Sequence, residues 1–254
     1  MTLDFDEWSE EADHDVKGYS LRVIQIVDPD YAREQLNGVL PAHYASRYSS
    51  ILRRLGKEKA ARHLQGKLPT FYNIQVGDAG EILATEYVKA ETDFDVPIMR
   101  LRWKDHRNMS MRGDDVIGVY FPETDDGSIE FLKVESKSRK NLVNQPVQDA
   151  RAALDSDYGH PSPHALSFVA DRLGDTGEDE KAALIDDAQL NDGIADHQVE
   201  HMLFTFSENS PEVRLKKDRD EYDGKFIQNT VGFYVDDQQN FVKSIFAGEE
   251  DDDD

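Results

Sequence analysis

RGDDVIGVYF at residues 112–121 and FLKVESKSR at residues 131–139 are the two stretches on which the fold and chemistry of this chain turn. In the first, Asp114 and Asp115 open an apolar run. In the second, a run of Phe, Leu and Val ends in Glu135-Ser136-Lys137. The linker PETDDG, residues 122–127, has the turn chemistry of a hairpin. Residues i and i+2 of a strand point to one face, so Glu135 and Lys137 project together. A hairpin brings Asp115 beside them, and two carboxylates and an ammonium then converge at one end of a sheet.

Two carboxylates plus waters are natural ligands for Mg²⁺, a hard cation that prefers oxygen and retains part of its water shell. Such a metal lowers the pKa of a bound water and neutralises charge on a scissile phosphate. Lys137 can orient the water and stabilise charge developing on phosphorus. Phosphodiester hydrolysis needs these functions together. Taken alone, Glu-x-Lys is also an ordinary ion pair on an exposed strand; the Gly-Asp-Asp strand and the hairpin linker set this case apart.

Working outward, residues 1–18 read as a polar lead and residues 19–27 as an alternating, half-buried strand. Residues 31–64 read as helical, broken near Pro41. Residues 78–90 read as a helix with Asp78 as N-cap. Strands are expected at 97–103, 116–121 and 129–134, helices at 146–154, 165–173 and 179–190, and strands at 201–206 and 231–235. The expected class is α/β with a mixed central sheet flanked by helices. The expected division is an N-terminal extension of a strand plus a basic helical segment (1–69), a core (70–245) and a disordered acidic tail (246–254).

Among 254 residues there is no cysteine, which excludes disulfides, thiolate zinc sites and a cysteine nucleophile. No apolar run approaches the ~20 residues of a membrane span, and the acidic N-terminus lacks the features of a secretory signal, so a cytoplasmic protein without membrane contact is expected. The net charge is −23, with 33 Asp and 19 Glu. That Asp surplus suits a halophile, whose carboxylates keep the surface hydrated; mimicry of DNA is the functional alternative. Two cationic islands stand out. Residues 47–67 carry seven basic residues against Glu58, a net +6, and residues 100–112 carry five against Asp105, a net +4. Phosphate contact is one reason for such islands and pairing with the acidic remainder is the other. Arg53, Arg54, Lys57, Arg112 and Arg139 are the candidates for DNA contact.

The histidines His106, His160, His164, His197 and His201 read as surface residues rather than ligands, because no Glu adjoins His197 as a zinc-hydrolase helix requires. Lys133 shares the face of Glu135 and Lys137, either touching DNA or simply exposed. Gln145 and Gln148 read as part of an amphipathic helix, and Trp8 and Trp103 as packing residues.

The order of a Glu-bearing helix, a strand Asp and a Glu-x-Lys strand resembles the PD-(D/E)xK nuclease superfamily. Within it, Gly80-Glu81 opening a helix, Gly-Asp-Asp-Val-Ile-Gly and Val-Glu-Ser-Lys-Ser resemble HamA, the nuclease subunit family of Hachiman antiphage defence systems. The motifs cover residues 70–155; outside them only the order of elements matches. The resemblance implies a restriction-endonuclease-like core, metal-dependent DNA cleavage with Mg²⁺ or Mn²⁺, and a partner helicase subunit of the HamB type. It makes Asp115 and Glu135 metal ligands, Lys137 the catalytic lysine and Glu81 the helix carboxylate, with Glu81 and Asp114 as further candidate metal ligands. It leaves Asp114 or Asp115 as the main strand ligand, with adjacency to the apolar run favouring Asp115. Another restriction or repair nuclease, or a non-catalytic helicase-binding subunit, are the alternative readings.

Overall fold

The computed structural model describes residues 2–16, 19–45, 66–122 and 127–247. Six strands among these form one mixed sheet: β1 (Ser9–Val16), β2 (Tyr19–Ile26), β3 (Val116–Tyr120), β4 (Glu130–Arg139), β5 (Val199–Ser207) and β6 (Ile227–Tyr234). Their spatial order is β1-β2-β6-β5-β4-β3. The inner pairs β2·β6, β6·β5 and β5·β4 are parallel, and the outer pairs β1·β2 and β3·β4 are antiparallel hairpins. Strands covered on both faces need apolar residues at successive positions, which explains the run MLFTF within β5.

Helices cover both faces. On one side lie α1 (Pro29–Tyr44), α2 (Tyr72–Glu91) and α7 (Gln238–Phe246), packed through Leu36, Ile82, Leu83 and Val242 onto Phe204 and Phe233. On the other, α3 (Asn144–Leu154) and α6 (Glu212–Glu221) pack through Val147 and Leu215 onto Leu203. Beside them, α4 (Pro163–Thr176) and α5 (Asp179–Asp187) pack through Leu166, Val169 and Ile185 onto Ile117 and Phe131. The result is a three-layer α/β architecture, the arrangement of a restriction-endonuclease-like core.

Several expectations are corrected. Residues 2–8 are not a free polar lead. Leu3, Phe5 and Trp8 are buried, with Phe5 and Trp8 against Phe233, because three apolar side chains spaced among acids suffice to dock the segment. Strand β2 lies beside β6, so the sheet continues without a break across the expected boundary at residue 69. Residues 100–103 form a 3₁₀ turn rather than a strand; their arginines point inward and bond to backbone and carboxylate oxygens. Helix α2 begins six residues before Asp78, which sits buried in mid-helix with Lys104 and the Tyr44 hydroxyl on its carboxylate. The helix expected beyond Pro41 falls largely outside the described residues, as do Arg53, Arg54, Lys57 and residues 248–254. No helix among the described residues is long and apolar enough to cross a membrane.

Candidate active site

The β3–β4 hairpin decides where the acidic residues meet. Val116 pairs with Val134, so Asp115, one residue before, lies opposite Glu135, one residue after. One Asp115 oxygen accepts the backbone N–H of Ser136 at 2.9 Å, which ties the aspartate to the Glu-x-Lys strand. On β4 the alternation holds: Leu132 and Val134 face α2, while Glu135 and Lys137 face the opposite way and form an ion pair with each other. The sequence-based expectation of a shared face for these two side chains rests on this same period of two.

Glu81 arrives from α2. Gly80 makes the approach feasible: a Cβ there would stand 1.9 Å from Ser138 Oγ and 3.0 Å from Ser136 Oγ. The helix therefore lies directly on the Glu-x-Lys strand. Burial raises the Glu81 carboxyl to about 7, Arg100 opposes that rise, and the charges of Asp115 and Asp78 add to it. Glu135 is likewise raised to about 7, first by burial and then by Asp115, with Lys137 pulling the other way.

Arg100 was not singled out in the sequence, where it was one cation of an island. It stands at the start of the 3₁₀ turn and bridges two carboxylates. Nε and Nη2 donate to the two Glu81 oxygens at 2.9 and 3.0 Å, and Nη2 also donates to Asp115 Oδ1 at 2.8 Å. Nη1 reaches the carbonyl of Asp114 at 2.6 Å. Burial disfavours its charge, but Glu81 and Asp115 outweigh that and raise its pKa. Nothing in the local spacing signals this role, because it depends on where the turn packs. Arg102 and Lys104 of the same island also turn inward, to the Ala42 carbonyl and to Asp78, so this half of the island is largely internal pairing.

The two aspartates separate by partner. Asp114 is buried; its Oδ2 accepts both the N–H and the hydroxyl of Ser162 at 2.8 Å, and Lys133 stands 3.6 Å from its Oδ1. Ser162 is in turn the N-cap of α4, accepting the Ala165 N–H with Pro163 in the first turn. Lys133 is buried rather than exposed, and its ammonium donates to the carbonyls of Ser156 and His160. Asp114 and Lys133 thus fix the loop that leads into α4.

Of the other expected positions, Arg112 and Arg139 are exposed, and Arg112 lines a cleft together with Glu81, Arg100 and Asp115. Gln145 bonds Asp149 on the outer face of α3. His201 is not on the surface: it is buried on β5, stacked on Phe226 at 4.4 Å, with Nε2 on the Gly159 carbonyl. His160 pairs with Asp196. Trp8 is a packing residue, and Trp103 packs edge-on to Phe168 under Arg172.

Among the described residues, no group of three or more His, Cys, Asp or Glu is arranged to hold a metal ion. The donors that do converge, Asp115 and Glu135, are all oxygen. Glu135 is held near neutrality by burial and by its neighbour's charge, a crowding that a cation relieves. The pair therefore fits a hard divalent ion completed by waters.

The profile of the HamA family matches residues 2–248. A Hachiman protein HamA from Bacillus cereus is 27% identical over 172 residues, covering 68% of this chain and 59% of that protein. The chain thus spans little more than half the length of that relative. With the family profile matched across nearly all its residues, this chain belongs to the HamA family.

Proposed function

We propose that this chain is a Mg²⁺-dependent deoxyribonuclease, with Mn²⁺ able to substitute. We further propose that it acts in the cytoplasm as the effector of a two-component antiphage system with a helicase subunit of the HamB type. The observation that carries the chemistry is the register of the β3–β4 hairpin, which sets Asp115 opposite Glu135 and its partner Lys137. The defence role rests on family membership and on the name of the Bacillus cereus relative.

In this reading Asp115 and Glu135 would hold the divalent ion, which when bound would supply an acidified water and charge neutralisation at the phosphate. Asp114 is left out, because Ser162 and Lys133 already occupy it. Lys137 leaves its ion pair with Glu135 as the phosphate enters, orients the attacking water and stabilises negative charge on the non-bridging oxygens. The water oxygen bonds to phosphorus and releases a proton to solvent, the P–O bond to one sugar breaks, and the leaving alkoxide takes a proton from solvent. Exposed Arg112 and Arg139 flank the site and contact the DNA backbone; Arg53, Arg54 and Lys57 are proposed to do the same.

The test is incubation of the purified full chain with linear and circular DNA, with Mg²⁺ or with a chelator. Cleavage confined to Mg²⁺ and absent in Glu135→Gln supports the reading. Undiminished cleavage by that variant, or in chelator, contradicts it. Co-purification from the native operon tests the helicase partner separately.

A further inference from the structure

We propose that Arg100 is a built-in cation that takes the place a second metal ion would occupy, so that Glu81 positions Arg100 and Asp115 and ligates no metal. This inference rests on the divalent-ion reading above and names the charge arrangement of that same site.

The geometry carries it. Glu81 gives both oxygens to one guanidinium, in the parallel two-bond form that arginine makes with carboxylates. The same guanidinium reaches Asp115 Oδ1, so one positive group lies between the two acids. Its remaining N–H groups are turned to the carbonyls of Asp114, Gly113 and Arg112, at 2.6, 3.3 and 3.4 Å. Every arm of the fork is used. The Arg100 side chain is 13% exposed, and swinging it out would strip the carbonyl of buried Asp114 and the buried Glu81 carboxylate of their partner.

A divalent ion bound by Glu81 would have to sit beside this guanidinium, with two like charges in a poorly solvated place. Asp115 differs. Its second oxygen takes only the Ser136 N–H, donated from the backbone between Glu135 and Lys137. Both Glu81 oxygens are engaged by Arg100, whereas Asp115 keeps acceptor capacity on the oxygen turned to the Glu-x-Lys strand. The arrangement gives a site with one exchangeable ion and one fixed charge. Arginine suits the fixed position because it stays protonated at any working pH and its planar fork spans both acids.

The test is the number of Mn²⁺ ions bound per full chain, measured by titration calorimetry and by electron paramagnetic resonance without DNA. One ion per wild-type chain is expected. Glu81→Gln should keep that one ion with affinity within about tenfold of wild type, while Glu135→Gln should lose it. Two ions in wild type overturn the inference, and so does a Glu81→Gln chain, folded by its melting curve, that loses binding as fully as Glu135→Gln. No ion in wild type overturns instead the divalent-ion reading on which the inference stands. Should Glu81→Gln not fold, the wild-type count still decides between one ion and two.

Discussion

Asp115 accepts the backbone N–H of Ser136 at 2.9 Å, across the hairpin and midway between Glu135 and Lys137. This bond makes two separate sequence motifs into one site. It also fixes the aspartate by a backbone group, which of all substitutions at position 136 only proline would remove.

The two adjacent aspartates should respond oppositely to substitution. Asp114→Ala strips Ser162 and buried Lys133 of a partner and should cost about 1–3 kcal/mol of stability, the penalty of leaving buried donors unsatisfied. Asp115→Ala should be milder in stability and should abolish cleavage. Denaturant unfolding and a cleavage assay on the same two variants separate the roles.

Gly80 is a close-approach position. Alanine there meets Ser138 Oγ at 1.9 Å and Ser138 Cβ at 3.2 Å. Gly80→Ala should cost roughly 1–3 kcal/mol by overpacking α2 against β4. Adding Ser138→Ala should recover part of that loss, read as a favourable coupling in a double-mutant cycle of unfolding free energies.

The pH dependence of stability should carry a signature from His201. Burial lowers its pKa to about 4, against an ordinary value of 6.5. Between pH 4 and 6.5 the unfolded chain binds a proton that the folded chain does not, so stability rises with pH through this window. The contribution is complete above pH 6.5 and is lost as pH falls towards 4. A shift of this size corresponds to about 3 kcal/mol at most. Unfolding of wild type and His201→Gln across pH 4 to 7 should show stability rising with pH more steeply in wild type than in the variant.

Much of this was legible in the chain itself. Period-two alternation and the paired aspartates gave β3, β4 and the shared face of Glu135 and Lys137, because strand geometry is local. The buried N-terminal segment was not legible: Leu3, Phe5 and Trp8 are sparse among acids, and only the tertiary core makes them structural. Arg100 was hidden for a related reason, since its role comes from a turn that packs against α1 and sends the guanidinium to Glu81 on α2. His201 read as a surface residue at the start of a strand, and only the central place of β5 in the sheet buries it.

Exposed Arg112 and Arg139 should contribute to DNA affinity without setting sequence preference. Charge reversal at either should weaken binding uniformly across sequences and lower the slope of log affinity against log salt by about 1. Fluorescence anisotropy over a salt series reads that slope. No change in slope would assign these arginines to solvent.

The most direct test of the central claim is the single-turnover rate of DNA cleavage in Mg²⁺ by the full chain and by Lys137→Ala, with matched melting curves. The lysine variant should be slower by at least about 100-fold, the scale expected when a group that stabilises the transition state is removed. Equal rates in the two proteins would contradict the assignment of Asp115, Glu135 and Lys137 as the hydrolytic site.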